Sequence, residues 1–331
     1  MCAVIPNNLY IHFPFCRTKC SYCALYSRCG ASEAERNGYV REIARQIPQD
    51  HAFSTVYFGG GSPALCDLRP VLEAVRTTSD AEFTVELHPH DVTDETLSML
   101  RDGGVNRISM GVQSLNDATL AAMGRGYSVR EAAAAFAKVC QRFDNAGIDL
   151  IVGYPDDPCG GWEQLRDWGL KHCSVYSLQN ERGLKNVPND DFVLDRIREV
   201  SEFLAGLGLE RYEISNYAAP GRACRHNLAV WRGEDYLGLG DGAFGRLGLR
   251  RTRNLGGRHP SEETLTPEQD ALERRLFRLR TREGLDATGR GDWAKTLAPS
   301  VEAGLLTKDG AIYRLTPRGT EVCDSILADL V

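Results

Sequence analysis

The chain has 331 residues, 42% of them hydrophobic and 25% charged, enough for a full core in one large domain with a small one beside it. A net charge of -6 and a pI near 5.7 argue against nucleic acid as the main partner, since phosphate binding favours a basic face. No apolar run reaches the roughly 18 to 20 residues of a membrane-spanning helix, and MCAVIPNNLYIHFPFC lacks the basic start and apolar stretch of a signal peptide, so a cytoplasmic protein without a transmembrane segment is expected.

In chain order, the strand LYIHFP leads into FPFCRTKCSYC, where Cys16, Cys20 and Cys23 are spaced C-x3-C-x2-C. Eleven cysteines in a reducing compartment do not suggest a disulfide framework, and the clustered three read as metal ligands. Zinc and ordinary iron-sulfur clusters take four protein ligands. Either a distant residue such as Cys29 or a histidine completes the set, or one coordination position is left open. Cys2, Cys29, Cys66, Cys140, Cys159, Cys173, Cys224 and Cys323 are scattered and read as small buried hydrophobes, and His12 reads as a core residue of the first strand.

Five further strands follow, TVYFGGGSP, FTVELHP, RISMGVQS, LIVGYP and SVYSLQ. Between them lie helical patterns at Ser32 to Gln46, Leu68 to Arg76, Asp94 to Arg101 and Arg130 to Phe143, with another at Asp191 to Leu207. Strands joined by crossover helices pair in parallel, and right-handed crossovers curl such a series into a barrel or a doubly wound sheet. The cysteines, Gly59-Gly60-Gly61, Glu86 and Gln113 all fall at or near the C-terminal ends of strands, where α/β folds place their sites. The triple glycine lacks the Gly-Lys-Ser/Thr of a phosphate-binding loop. Beyond Leu207 the stretch YEISNYAAPGRACRHNLAVWRGEDYLGLGDGAFG is expected to be dominated by loops. A helix from Thr266 to Arg280, a segment from Trp293 to Ala303, a hairpin around Lys308-Asp309-Gly310 and a helix starting at Thr316-Pro317 predict a small winged-helix-like module. The module is short and not strongly basic, so a structural or docking role is expected of it.

The three-cysteine word followed by a triple glycine at the second strand resembles the radical S-adenosylmethionine (SAM) superfamily. LYIHFPFCRTKCSYC, YFGGGSP, VELHP, NRISMGVQSLND, DLIVGYP, YEISNYAAPGRACRHN and WRGEDYLGLGDGAFGRL resemble its HemN and HemW group, over nearly the whole chain. The resemblance implies an α/β fold: a partial (β/α)6 barrel over residues 1–215, a connecting region over 216–262 and a C-terminal α+β domain over 263–331. It implies that Cys16, Cys20 and Cys23 hold a [4Fe-4S] cluster whose fourth iron is taken by SAM. It further implies Tyr10 and Tyr22 beside cluster and SAM, Gly60 and Gly61 at the SAM amino group, Glu86 at the SAM ribose or amino end, and Gln113, Arg125 and Asp149 at a second SAM. Read from the residues alone, Gln113 and Asp149 end strands and Arg125 caps a helix.

Part of the group carries an H-N-x-x-Y-W motif associated with heme. Here His226 and Trp231 match it, while Val230 stands in place of the tyrosine. His226 as axial ligand and Trp231 as a stacking ring are the implied heme contacts, with Cys224 a second candidate ligand. The oxidases of the group carry a long N-terminal extension and a fourth cysteine two residues after the third. This first strand begins at Asn8-Leu9 and that position is Leu25, which favours the heme-chaperone branch: heme or another tetrapyrrole, a recipient hemoprotein, and a reductant such as flavodoxin or ferredoxin. The alternative is an oxygen-independent coproporphyrinogen III oxidase or a related enzyme generating a 5'-deoxyadenosyl radical.

Overall fold

A computed structural model describes residues 5–255 and 258–331; Cys2 lies outside the described residues. β1 (Asn8–Phe13) runs into the cysteine segment, whose ends close a short parallel ladder of β2 (Phe15–Cys16) on β3 (Arg28–Cys29). α1 (Glu33–Gln46) starts where expected because Ser32 and Glu35 cap each other's backbone amides. Then follow β4 (Phe53–Gly60), α2 (Arg69–Ala74), β5 (Thr77–Leu87), α3 (Asp94–Asp102), β6 (Arg107–Gln113), α4 (Asp117–Met123), α5 (Val129–Cys140), β7 (Asn145–Val152), β8 (His172–Ser177) and α6 (Asp190–Gly206). β1, β4, β5, β6, β7 and β8 pair in parallel, each with the next. This is the expected βα series, with α4 added and β7 starting five residues before LIVGYP because Asn145 to Gly147 already pair with Arg107 to Ser109.

Strand residues alternate between two environments. Leu9, Ile11, Val56, Phe58, Ile108 and Met110 are among those packed in the apolar core. Their neighbours Tyr10, Tyr57, Glu86, Ser109, Asp149 and Ser174 meet one another on the other face through hydrogen bonds and ring contacts. The inner face of the curl is therefore polar and aromatic, suited to a site and poor as a packed interior.

The stretch after Leu207 departs from the loop-dominated expectation. It forms β9 (Glu210–Arg211), β10 (Asn216–Ala218), α7 (Arg225–Trp231), β11 (Tyr236–Leu239), β12 (Phe244–Leu247), β13 (Arg250–Leu255) and β14 (Arg258–Thr264). β11 pairs in parallel with the free side of β1, and β10 pairs antiparallel with β8, so the series stays open at both ends within a 12-stranded sheet. The glycines that suggested loops serve strand contact instead. At Gly238 a Cβ would strike the Phe244 carbonyl, so only glycine lets β11 and β12 approach.

The C-terminal part comprises α8 (Pro267–Leu279), β15 (Leu285–Asp286), α9 (Gly291–Glu302), β16 (Leu306–Asp309), β17 (Ile312–Leu315), α10 (Pro317–Glu321) and α11 (Cys323–Ala328). The expected hairpin is β16 on β17, with Gly310 in the left-handed region at φ 58°. The helix expected from Thr316 is broken at Val322. Leu279, Leu285, Trp293, Leu297, Tyr313 and Ile326 form a separate core. None of the described helices is long and apolar enough to cross a membrane.

Arg246 of β12 ties α8 to the main sheet. Its side chain is 5% exposed and pairs with Asp270 and with Glu273, the latter at 2.5 Å. Removing one member of a buried charge network strands the others. Arg246→Met is expected to destabilise the chain by about 3 kcal/mol, read as a lower urea midpoint.

Candidate cofactor site at the barrel mouth

Cys16 ends β2, and Cys20 and Cys23 follow in the loop, where the Cys23 amide donates to the Cys20 carbonyl at 3.2 Å. All three are free and partly buried. The loop is fastened from several sides: the Ser21 amide donates to the Met123 carbonyl at 3.2 Å, Ser62 to Phe15 at 2.8 Å, and Lys19 Nζ to the Leu25 carbonyl and Ser27 Oγ at 2.5 and 2.6 Å. Arg17 pairs with buried Asp91, which also accepts from Ser62. Burial pushes the Cys16 thiol up to about 11, so metal binding there must displace a proton. Cys29 is exposed, with its backbone beside Cys16.

Gly60 and Gly61 close β4 against this loop. Gly60 has φ 116°, and a Cβ there would lie 2.9 Å from the His12 ring; at Gly61 it would lie 2.5 Å from the Phe15 carbonyl oxygen and 2.8 Å from Cys16 Sγ. The missing side chains thus admit protein groups, with Cys16 drawn onto the strand end. His12 carries the connection inward, since its Nδ1 shares a 2.9 Å hydrogen bond with Tyr10 OH and its Nε2 another with the Tyr26 carbonyl.

Glu86 stands behind Gly59 and Gly60. It accepts from Tyr57 OH at 2.9 Å and from the Gly60 amide at 3.2 Å. Burial, followed by the charge of Asp149, raises its carboxyl to about 7. Asp149 accepts from Ser109 Oγ at 3.0 Å and is also raised, chiefly by burial. It lies within β7, so the reading that it ends a strand is corrected: Leu150 to Val152 continue the pairing with β8. Buried Arg107 faces both carboxylates and partly offsets their repulsion.

Gln113 does end β6, at a bulge and in the left-handed region with φ 74°. Such a conformation is costly for a residue with a side chain and is common at binding sites. Its amide folds back to Gly111, where a Cβ would lie 2.6 Å from Nε2. Arg125 does not cap α4; Gly124, at φ 78°, closes that helix. Arg125 instead donates to the Gly111 carbonyl at 2.8 Å, Tyr127 OH at 2.9 Å and Cys20 Sγ at 3.4 Å. It bridges the cysteine loop to β6. Tyr22 lies within reach of the charges of Arg125, Cys20 and Cys23, its ring edge-on to Tyr154 at 6.5 Å.

These residues therefore gather at one mouth, while the two heme candidates separate. His226 is 4% exposed, shares a 2.9 Å hydrogen bond with Thr55 through Nδ1, and packs among Tyr10, Tyr57 and Tyr236. Burial lowers its imidazole to about 3. Trp231 faces the opposite way, edge-on to Phe277 at 5.9 Å and under Arg280 at 5.5 Å. Cys224 is fully buried against Glu82. Arg107, Tyr57 and Asp91 were missed in the sequence. Tyr57 was findable by counting two residues back along the strand from Gly59.

Residues 10–168 match the family model of the Radical SAM superfamily. The chain is 31% identical to the heme chaperone HemW of Mycobacterium tuberculosis over 98% of this chain and 95% of that protein, and 30% identical to that of Lactococcus lactis over 85% and 83%. With the HemW of Escherichia coli it shares 33% identity over 77% and 75%. The solved coproporphyrinogen III oxidase HemN of Escherichia coli superposes with a TM-score of 0.82 at 22% identity, covering 98% of this chain and 90% of that one, a likeness of fold. Membership implies a [4Fe-4S] cluster and SAM, and the donors fit them: soft thiols gathered on one loop, a strand end on which only glycine fits against Cys16, and a carboxyl pair beneath. Among the described residues, no three His, Cys, Asp or Glu side chains converge on a single ion, whereas a cluster asks only one thiolate per iron. The chain belongs to the HemN/HemW family of radical SAM proteins.

Proposed function

We propose that this protein is a heme chaperone of the HemW kind, which binds heme and hands it to a recipient hemoprotein in the cytoplasm. The observation that carries the reading is the identity shared with HemW proteins along essentially the full chain, together with Leu25 at the position of the oxidases' fourth cysteine. Cys16, Cys20 and Cys23 would hold the cluster and Glu86 the positively charged end of SAM, with Gln113, Arg125 and Asp149 lining the space beside it. When bound, cluster and SAM supply one-electron chemistry at the sulfonium. The chain's own residues fasten the loop and hold a proton on the Glu86 and Asp149 pair that is given up when a cation binds there. Trp231 is the proposed stacking contact for heme. His226 is the proposed axial ligand: Thr55 holds Nδ1, Nε2 is the nitrogen that would take iron, and the buried ring must first be uncovered.

Anaerobically reconstituted protein should bind heme with a stable Soret band, release it to an apo-hemoprotein, and leave coproporphyrinogen unchanged when given SAM and a reductant. Formation of a divinyl tetrapyrrole would overturn the chaperone reading in favour of the oxidase.

A further inference from the structure

A cavity of about 330 Å³ lies between the outer edge of the main sheet and the C-terminal part, lined by α6 and β9 on one side and the start of α10 on the other. This is near the lower end of small-molecule sites, roughly 300 to 1,000 Å³. Ala205, Leu209, Leu315 and Pro317 give it apolar walls, and four arginines, at 198, 211, 280 and 282, stand around it.

The arginines are not equivalent. Arg198 is committed to the Glu321 carboxylate by two hydrogen bonds of 2.7 Å. Arg211 is held by hydroxyls: Tyr217 OH at 2.8 Å, Ser201 Oγ at 2.9 Å and Thr320 Oγ1 at 2.5 Å. Those partners fix its direction and leave its charge unneutralised at hydrogen-bond distance. Arg282 is 62% exposed, with Glu210 at 3.8 Å. Glu213, also in the lining, is 3% exposed, and burial raises its carboxyl, which reduces the opposing negative charge. Apolar walls ending in a pre-aimed guanidinium select a ligand with a flat apolar body and a carboxylate. Trp231 adjoins this space, because Arg280 of the lining sits over its ring and Glu213 hydrogen-bonds it.

We propose that this cleft docks the carboxylate-bearing edge of a tetrapyrrole, its carboxylates on Arg211 and Arg282 and its ring edge against Leu209, Leu315 and Pro317. The proposal rests on the heme reading above and adds the place where the acidic edge is held; it makes no use of His226.

The test titrates the full, cluster-reconstituted chain with hemin by Soret absorption, beside Ala205→Trp, which fills the cleft from an exposed helix position, and Arg282→Glu. Circular dichroism checks that both variants keep the wild-type fold. Each should bind hemin at least tenfold more weakly, and the wild type should prefer deuteroporphyrin to its dimethyl ester by a similar factor. Unchanged hemin affinity in both variants, or equal affinity for acid and ester, overturns the cleft and leaves the heme reading standing. Failure of the wild type to bind hemin overturns that reading and, with it, this one.

Discussion

Cys20→Ser is expected to lose essentially all cluster iron and the visible absorption that accompanies it after anaerobic reconstitution. Three thiols are gathered on the loop, one for each iron not reserved for SAM, so no spare ligand is in the set. A serine hydroxyl does not ionise near neutral pH, whereas a thiolate is the form that binds metal. Cys29, an exposed thiol whose backbone neighbours Cys16, stands outside this set of three, and Cys29→Ser should leave iron content at the wild-type level. Arg125→Met is a milder change: the hydrogen bond to Cys20 Sγ and a positive charge disappear while all three thiols remain. Iron content should hold, and the cluster potential should become more negative, because a cation beside the sulfur favours the reduced form. Unchanged iron and absorption in Cys20→Ser would remove the loop from consideration as the cluster site.

The parallel series was legible because each strand carries a buried apolar face and each crossover helix a capping or periodic signal, as at Ser32 with Glu35. The loop and the strand ends were legible for a related reason: glycines and cysteines in short words leave few alternatives. The region after Leu207 was not, since Gly238 marks a close strand crossing, and glycine content alone does not separate that from a turn. The role of Arg125 was hidden because its partners, Gly111 and Cys20, are brought to it only by the fold. The separation of His226 from Trp231 was hidden by their closeness in sequence. They sit on one short helix, and five residues of helical rotation carry one ring to Thr55 and the other to Phe277.

Affinity for SAM is expected to rise with pH between about 6 and 8 and then level, by up to about tenfold per pH unit below the carboxyl's own pKa. Glu86 is the reason. Its carboxyl is raised from the ordinary 4.5 to about 7, first by burial and then by Asp149, while Tyr57, the Gly60 amide and Arg107 oppose the shift. A sulfonium or ammonium group favours the ionised form, so near pH 6 binding must first expel a proton. The same shift affects ligand-free stability in the opposite sense. The unfolded carboxyl ionises near 4.5 and the folded one near 7, so the stabilisation is complete below about 4.5 and is lost as pH rises through 7, at about 3 kcal/mol in all. Asp149, also raised, acts in the same direction. Glu86→Gln keeps the acceptor for Tyr57 and cannot ionise. It should weaken SAM by roughly ten- to a hundredfold at pH 8, in line with a lost buried charge contact, flatten the pH dependence of binding, and remove much of the stability lost between pH 4.5 and 7. Calorimetric titration of reconstituted protein at several pH values, with urea unfolding of the ligand-free chain beside it, reads both. A wild-type affinity that does not change across that range would mean that SAM meets Glu86 already ionised, or does not meet it at all. Unfolding of the wild type beside Glu86→Gln separates the two, because a Glu86 already ionised at pH 6 leaves the two proteins with the same change in ligand-free stability between pH 6 and 8, whereas a raised one makes the wild type lose more.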